Sequence, residues 1–208
     1  MLKATTTTPT VIVIDDDPAI RDALGGLIRS VGFQAQLLTS VSEFLKLGRP
    51  QGAACLVLDV RLPGQSGFDL QRELTEMRIQ LPIIFITGHG DIPMSVRAMK
   101  GGAIEFLTKP FRDQDLLDAI QLGLERDRAW LEKEKVTSEL RARFETLTPR
   151  EREVMVRVVA GRLNKQVAYD LGISEVTAKV HRGQVMRKMK ASSLPDLARM
   201  ADKLKLSP

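Results

Sequence analysis

Residues 53–64 read AACLVLDVRLPG, an apolar run of strand length that ends in Asp59 and then in a turn. No helical periodicity interrupts the apolar residues, which predicts a buried strand over Ala53–Leu58. The Pro63-Gly64 pair predicts a turn soon afterwards. Open α/β sheets bind ligands at the carboxyl ends of their strands, so Asp59 is the first candidate functional residue.

Other short apolar segments end in acidic, hydroxyl or basic residues in the same way: Val11–Ile14 before Asp15-Asp16-Asp17, Pro82–Ile86 before Thr87, and Ile104–Thr108 before Lys109. The intervening segments have helical periodicity, and Gln34–Leu38 reads as one more strand. This alternation predicts an α/β fold, a doubly wound five-stranded parallel sheet with the flavodoxin-like strand order 2-1-3-4-5. The polar strand ends would then meet at one edge.

Charge is distributed unevenly along the 208 residues, a length that suits two small domains. Residues 1–125 contain 12 Lys and Arg against 15 Asp and Glu, and residues 126–208 contain 19 against 11. The balances of −3 and +8 sum to the net charge of +5. The basic second part favours a polyanionic partner, although a solvated helical surface would have the same composition.

The remaining composition excludes several classes of protein. The single cysteine, Cys55, leaves no disulfide framework or cysteine zinc site. No apolar run approaches the ~20 residues that span a membrane. The first eight residues, MLKATTTT, lack the apolar core of a secretory signal. We therefore expect a cytoplasmic protein with no membrane partner.

The acidic strand ends have the composition of a divalent-metal site. Asp15, Asp16 and Asp59 are expected on adjacent strands, and carboxylates that close cannot all stay ionised without a cation. Mg²⁺ suits a few carboxylates together with water and a phosphoryl oxygen. Asp59 can then attack a phosphoryl group to form an acyl phosphate, with Lys109 and Thr87 contacting the phosphoryl oxygens.

These residues resemble the active site of the receiver domains of two-component response regulators, over Val11–Gly123. The resemblance implies that a histidine kinase phosphorylates Asp59 and that the Lys109-Pro110 bond is cis. The expected Mg²⁺ ligands are Asp15, Asp16, Asp59 and the carbonyl of Arg61. The expected phosphoryl-contact and switch residues are Thr87, Phe106 and Lys109. The loop Thr87–Met94 is similar to that of the FixJ subgroup.

The segment from Asp113 to Glu145 has no Pro and one Gly, which predicts that the last helix of the sheet domain continues as a linker. Leu117, Leu124 and Leu131 are seven residues apart, a spacing that could pair two copies of the helix. Packing of the helix on its own domain would explain the pattern equally well.

Short helices are predicted after the linker. Thr148 and Glu151 form a capping box at the start of the first, Asn164–Leu171 is the second, and Ser174 caps the third. Two short helices joined by a glycine turn are typical of a helix-turn-helix, whose second helix enters the major groove of DNA. The residues expected to face inward on that helix are Val176, Val180, Val185 and Met189.

Residues 147–189 resemble the LuxR-type DNA-binding domain at Thr148–Glu151, Asn164-Lys165, Ile173-Ser174 and Thr177–His181. Because Gly183 stands where some members have a base-reading Lys, the resemblance assigns base reading to Lys179 and Arg182. The full set of expected DNA contacts is Lys165, Glu175, Thr177, Lys179, Val180, Arg182, Arg187 and Lys188. A fourth helix over Ser193–Leu206 is expected to support dimerisation on DNA.

The two resemblances imply a phosphorylation-dependent transcriptional regulator of the FixJ type that is not an enzyme. The expected partners are a sensor histidine kinase, promoter DNA, RNA polymerase and a second copy of the chain. The copies would pair through the fourth helix, fifth strand and fifth helix, and transcription would be activated. The expected segments are a flexible N-terminus (1–9), a receiver domain (10–123), a helical linker (124–146) and a LuxR-type DNA-binding domain (147–208).

Two other functions stay open on the residues alone. A phosphohydrolase with an aspartyl nucleophile usually has a second Asp two residues later, where this chain has Arg61, and it would need a substrate cap. A DNA-binding protein that works without phosphorylation would bind its promoter equally well with and without acetyl phosphate or beryllofluoride.

Overall fold

The computed structural model describes residues 8–206 and divides the chain into two compact units between Leu131 and Glu132. The division falls within the segment predicted as a linker. Most of the predicted flexible N-terminus, residues 1–7, lies outside the described residues, as do residues 207 and 208 of the predicted DNA-binding segment. Within the described part of the chain, no helix is both long and apolar enough to cross a lipid bilayer.

The first unit is built on a five-stranded parallel sheet with the order β2-β1-β3-β4-β5, which confirms the predicted fold class and strand order. Its strands are β1 (Thr10–Ile14), β2 (Gln34–Leu38), β3 (Ala54–Asp59), β4 (Ile83–Thr87) and β5 (Glu105–Thr108). Strands β1, β3 and β4 are buried along their whole length. Helices cover both faces of the sheet, and this is why the three strands read as unbroken apolar runs.

The helices around the sheet are α1 (Pro18–Ser30), α2 (Val41–Leu47), α3 (Gly67–Glu76), α4 (Ile92–Lys100) and α5 (Asp113–Glu145). The first four begin at side-chain caps, supplied by Asp17, Ser40, Ser66 and Asp91. Helix α5 is continuous through the predicted linker. Its residue Leu124, part of the predicted seven-residue spacing, packs in the core of the first unit.

The parallel register brings the carboxyl ends of three neighbouring strands to one edge of the sheet. Ile14 at the end of β1 is paired with Leu58, the residue before Asp59. Asp59 is in turn paired with Ile86, the residue before Thr87. The candidate residues at the carboxyl ends of β1, β3 and β4 are therefore neighbours, as their sequence context predicts.

At the opposite end of β3, a buried ion pair fastens α5 to the sheet. The Asp127 carboxylate accepts hydrogen bonds from the Arg49 guanidinium at 2.9 and 2.7 Å and from the main-chain N–H of Ala54 at 2.8 Å. The same guanidinium lies 5.1 Å from the centre of the Trp130 ring, within cation–π range. We call Arg49, Asp127 and Trp130 the α5 clamp.

The single cysteine of the chain is sealed inside the sheet. Cys55 is the second residue of β3 and has no exposed surface. Burial raises the pKa of the Cys55 thiol well above its usual range, and the nearby charge of Asp127 adds to the effect. Because the thiolate is the reactive form of cysteine, this residue is chemically inert in the folded protein.

The second unit contains the carboxyl-terminal part of α5 followed by α6 (Pro149–Val159), α7 (Asn164–Leu171), α8 (Glu175–Met189) and α9 (Leu194–Lys203). Thr148 and Glu151 form the predicted capping box, and Ser174 and Ser193 cap α8 and α9. Gly172 joins α7 to α8 with φ of 62°, a left-handed conformation that glycine adopts without strain. The predicted helix-turn-helix is therefore formed by α7 and α8.

The prediction of which α8 residues face the core is wrong in part. Val185 and Met189 are buried as expected, but Val176 and Val180 are 73% and 56% exposed, and Ala178 fills the core in their place. Residues two apart on a helix point in nearly opposite directions. Since Ala178 shares a face with Val185 and Met189, the two valines must face outward.

Candidate functional site

Three carboxylates, those of Asp15, Asp16 and Asp59, meet at the carboxyl edge of the sheet, which we call the acidic edge. One oxygen atom each from Asp15, Asp16 and Asp59 lies within 4.8 Å of the other two. Asp15 and Asp59 are buried, whereas Asp16 is exposed. They follow or end the neighbouring strands β1 and β3, so the sheet itself sets their spacing.

The ammonium group of Lys109, which follows β5, joins two of these carboxylates. Its Nζ atom lies 2.7 Å from Oδ2 of Asp15 and 3.0 Å from Oδ2 of Asp59. Burial opposes the positive charge of Lys109, but the hydrogen bonds and charges of the two carboxylates outweigh it and raise the pKa of the ammonium group. The Lys109-Pro110 peptide bond is cis, as the family resemblance implies.

Main-chain N–H groups orient the two buried carboxylates, and an arginine side chain supports the main chain beside them. The N–H of Asp17 donates to Oδ1 of Asp15 at 3.0 Å, and the N–H of Arg61 donates to Oδ1 of Asp59 at 3.1 Å. The Arg21 guanidinium donates to the main-chain carbonyl of Asp15 at 2.7 Å. Arg21 is a supporting residue that the sequence reasoning missed, since nothing in its local pattern distinguishes it from a surface arginine on α1.

The hydroxyl and aromatic candidates lie on β4 and β5. Thr87 is fully buried, and its hydroxyl accepts the N–H of His89 at 3.2 Å. Phe106 is half-buried, with its ring centre 6.4 Å from that of Phe85. A Cβ atom on Gly90 would lie 2.9 Å from the Phe106 ring and 3.2 Å from the methyl group of Thr87. Gly90 therefore allows the loop after β4 to approach both candidates, a role that the sequence reasoning missed.

The donor set at this edge fits a hard divalent cation. The three carboxylates have three negative charges when ionised, and the one ammonium group of Lys109 neutralises one of them. Carboxylate and main-chain carbonyl oxygens are the ligands that Mg²⁺ prefers. Arg61, whose carbonyl was predicted as a further ligand, is held beside Asp59 through its own N–H.

Most of the predicted DNA contacts are exposed on the helix-turn-helix. The exposed members are Lys165 on α7 and Glu175, Thr177, Lys179, Val180 and Arg187 on α8. The hydroxyl of Thr177 lies 2.8 Å from that of Ser174. Arg182 is half-buried and donates to Oδ1 of Asn164 on α7 at 3.0 Å.

Lys188 does not face outward as predicted. Its Nζ atom lies 2.6 Å from the buried Glu151 carboxylate and 3.1 Å from the carbonyl of Thr146, so its charge is satisfied within the unit. Burial opposes ionisation of Glu151, but the hydrogen bonds from Lys188 and Thr148 outweigh it and lower the pKa of this carboxyl. The pair connects the first turn of α6 to the last turn of α8.

Comparison with known families is consistent with the two units. Residues 11–121 match the family model described as the response regulator receiver domain. Residues 145–201 match the model described as bacterial regulatory proteins of the luxR family. The first match covers the acidic edge and the second covers the helix-turn-helix.

Similar proteins span nearly the whole chain. Nodulation protein W of Bradyrhizobium diazoefficiens is 54% identical over 197 residues, which cover 95% of this chain and 87% of that protein. Transcriptional regulatory protein FixJ of Rhizobium meliloti is 44% identical over 192 residues, covering 92% and 94%. The structure of the response regulator StyR has a TM-score of 0.83 and 48% identity, covering 95% of this chain and 100% of that one.

Proposed function

The chain belongs to the two-component response regulators that join a receiver domain to a LuxR-type DNA-binding domain, and we propose that phosphorylation of Asp59 controls its binding to promoter DNA. The single observation that supports the site best is the position of Lys109. From the end of β5, its ammonium group reaches the carboxylates at the ends of β1 and β3, where it can contact a phosphoryl group on Asp59.

The proposed reaction is transfer of a phosphoryl group from a phosphohistidine of a sensor kinase. A carboxylate oxygen of Asp59 forms a bond to phosphorus as the bond between phosphorus and the histidine nitrogen breaks, giving an acyl phosphate and a free imidazole. The Lys109 ammonium and the Thr87 hydroxyl then contact the phosphoryl oxygens. The N–H of Arg61 keeps the second Asp59 oxygen in place.

We propose Mg²⁺ as the cofactor, held by Asp15, Asp16, Asp59 and the carbonyl of Arg61. When bound, the ion offsets the negative charge that the carboxylates share with an incoming phosphoryl group. The protein contributes oxygen donors within 4.8 Å of one another and one ammonium group.

The proposed role is that of a phosphoryl acceptor and not of an enzyme acting on an external substrate. A phosphohydrolase would need an acid or base beside the nucleophile, and the residue two positions after Asp59 is Arg61. The sole proposed substrate is the Asp59 side chain itself.

We propose that phosphorylation changes the region of Thr87 and Phe106 and pairs two receivers through the face made by α4, β5 and α5. Apolar side chains are exposed on this face, with Ile92, Val96 and Met99 on α4 and Leu122 on α5. Apolar residues exposed in this way are candidates for contact with another protein surface. A paired receiver would present two helix-turn-helix motifs to two half-sites of a promoter.

We propose that the DNA-bound homodimer acts in the cytoplasm, where promoter DNA lies, and that it activates transcription by contact with RNA polymerase. Exposed Lys165, Lys179 and Arg187 support DNA binding, since they offer cations to phosphates or base edges. Glu175, Thr177, Val180 and the half-buried Arg182 complete the proposed contact surface, and Lys188 supports it from within the unit.

The site assignment is tested by labelling with radioactive acetyl phosphate in the presence of Mg²⁺. The Asp59→Asn variant should show no label that hydroxylamine can release, because the nucleophilic carboxylate is gone. Asp17→Asn is the matched control: Asp17 caps α1, a role that Asn also performs, and its variant should be labelled as the wild type is. Full labelling of Asp59→Asn would refute the assignment.

The dependence of function on phosphorylation is tested by promoter binding with and without beryllofluoride. The wild type should bind more tightly with beryllofluoride, and Asp59→Asn should not respond. Equal binding of the wild type under both conditions would favour the DNA-binding protein that works without phosphorylation.

A further inference from the structure

Helix α8 presents a mixed apolar and basic stripe to the outside. Val176, Lys179, Val180 and Gly183 follow one another at intervals of three, one and three residues, so they share one face. Val176 is 73% exposed and Val180 is 56% exposed. Apolar residues thus occupy two of the first six positions of the helix on the side away from the core.

The apolar core of the second unit does not include these two valines. Ala178, Val185 and Met189 supply the buried side of α8, at 1%, 1% and 0% exposure. An exposed valine is also a weaker helix former than alanine, so neither position is optimised for the helix itself. Their side chains are therefore available to an outside partner.

Other side chains near the start of α8 are already engaged within the protein. The Thr177 hydroxyl lies beside that of Ser174, and the Arg182 guanidinium donates to Asn164. Among the described residues, Lys179 has no ion-pair partner within 4.0 Å. Beside the exposed Glu175 and Thr177, the amino-terminal half of α8 therefore offers a ligand the Lys179 cation between two branched apolar groups.

We propose that Val176, paired with Val180, reads the 5-methyl groups of thymine in the major groove, an inference that rests on the proposed function of α8 as the recognition helix. The methyl group of thymine is the one apolar feature of that groove, and side-chain apolar groups contact it. The amino-terminal part of a recognition helix is the part that meets base edges. Lys179 between the valines fits an adjacent guanine edge or phosphate.

The spacing of the two valines sets the spacing of the thymines. Side chains four residues apart on a helix are about 5–6 Å apart, and base pairs stack about 3.4 Å apart. The two methyl groups should therefore lie within about two base-pair steps of each other in each half-site.

The test first selects the half-site from random duplexes with the full-length chain and beryllofluoride. Each thymine is then replaced singly by deoxyuridine, which removes the methyl group and leaves the pairing edge unchanged. The wild type should lose about fourfold in affinity at each of two positions, since one buried carbon is worth about 0.8 kcal/mol and tenfold is about 1.4 kcal/mol.

The decisive variant is Val176→Ala, which should become insensitive to deoxyuridine at one of those positions and keep its sensitivity at the other. Val180→Ala should show the reverse pattern. Val136→Ala, an exposed valine on α5 in the same unit, is the matched control and should retain both sensitivities. Alanine is the better helix former, so the substitutions on α8 preserve the helix.

Unchanged sensitivity of Val176→Ala at every thymine would overturn the inference and leave DNA binding by α8 intact. A selected half-site without thymine would do the same, as would a Val176→Ala variant that binds normally but fails to activate transcription, which would indicate a protein partner for this face. Failure of the wild type to select any sequence would overturn the proposed function and this inference together.

Discussion

Lys109 is the residue on which the charge balance of the acidic edge depends. The Lys109 side chain is 18% exposed, and its ammonium group contacts the nearly buried carboxylates of Asp15 and Asp59. Attraction between opposite charges is strong in a partly dehydrated site, and so is the repulsion that appears when the cation is removed. One side chain thus holds β5 to the ends of β1 and β3.

Lys109→Met should destabilise the receiver by about 1–3 kcal/mol without divalent cation, because two carboxylates lose their charged hydrogen-bond donor. Added Mg²⁺ should then raise the melting temperature of the variant more than that of the wild type, since the metal replaces the missing positive charge. Differential scanning calorimetry with and without Mg²⁺ measures both effects. Lys100→Met, which changes an exposed lysine on α4, is the control and should match the wild type.

The buried Glu151 in the second unit gives stability a predictable dependence on pH. Its folded pKa lies below the ordinary value of 4.5, so the ionised carboxylate stabilises the fold above that value. This contribution is lost as the pH falls through the folded pKa. Hydrogen bonds to Lys188 and to the N–H of Thr148 are the cause.

Glu151→Gln should therefore lower the melting temperature of the second unit at pH 7, and the difference from the wild type should shrink as the pH falls below about 4.5. Circular dichroism melts between pH 7 and pH 3 measure this trend. Glu153→Gln, at the exposed partner of Arg150, serves as control and should have little effect at any pH. A constant difference across the whole range would contradict the role of the Glu151 charge.

Among the secondary-structure elements, β3 has a function at each end. Ala54 at its start donates to Asp127 of the α5 clamp, and Asp59 at its end is the proposed phosphoryl acceptor. A strand of this length spans about 17 Å at ~3.3 Å per residue. The clamp is therefore remote from the reaction, and changing it should affect the attachment of α5 before it affects phosphorylation.

Asp127→Ala should destabilise the first unit by about 3 kcal/mol or more, because it leaves the Arg49 charge and the Ala54 N–H without their partner. The Arg49→Met and Asp127→Ala double variant should lose less than the sum of the single changes. Urea titration followed by the fluorescence of Trp130 reports the effect directly, since this single tryptophan lies against Arg49. Asp118→Ala, on an exposed part of α5, is the control.

Local sequence pattern predicted the elements well and the contacts between distant residues poorly. The apolar run before Asp59 and the turn after it were sufficient to predict β3, and parallel topology then brought Asp15, Asp59 and Lys109 together. Arg49 and Asp127 are 78 residues apart, so no local pattern connects them. The prediction that Lys188 faces outward was wrong because its partner, Glu151, is 37 residues away in the sequence and no local pattern connects the two.

The error on α8 had a different origin. Hydrophobicity alone assigned Val176 and Val180 to the core, although helical periodicity from Val185 and Met189 indicates Ala178. A small residue at a core position and large apolar residues outside it conflict with the usual pattern of a surface helix. Such conflicts between local pattern and fold are expected where a surface serves a ligand.

At the scale of the whole protein, the part that contains the receiver domain is acidic, whereas the part that contains the DNA-binding domain is basic. The first 125 residues have a balance of −3 and the rest +8. DNA attracts cations and repels the acidic part, so the electrostatic contribution to affinity should come from the second unit. The exposed lysines of the helix-turn-helix are the residues to test.

The Lys165→Ala and Lys179→Ala double variant should lower the slope of log affinity against log salt concentration by about two. Fluorescence anisotropy with promoter DNA between 50 and 300 mM salt measures the slope. The Lys46→Ala and Lys100→Ala double variant removes the same charge from exposed positions in the first unit and should leave the slope unchanged. An equal decrease in both variants would mean that net charge, not position, determines binding.

Because Cys55 is fully buried, the protein can be labelled at one introduced cysteine without other changes to its sequence. A cysteine introduced at an exposed position would be the only thiol to react with a maleimide at neutral pH, because the native one has neither access nor thiolate character. A fluorophore or spin label could then be attached at one chosen site without first removing a native cysteine. Distances between labelled copies could be followed in the otherwise unaltered protein.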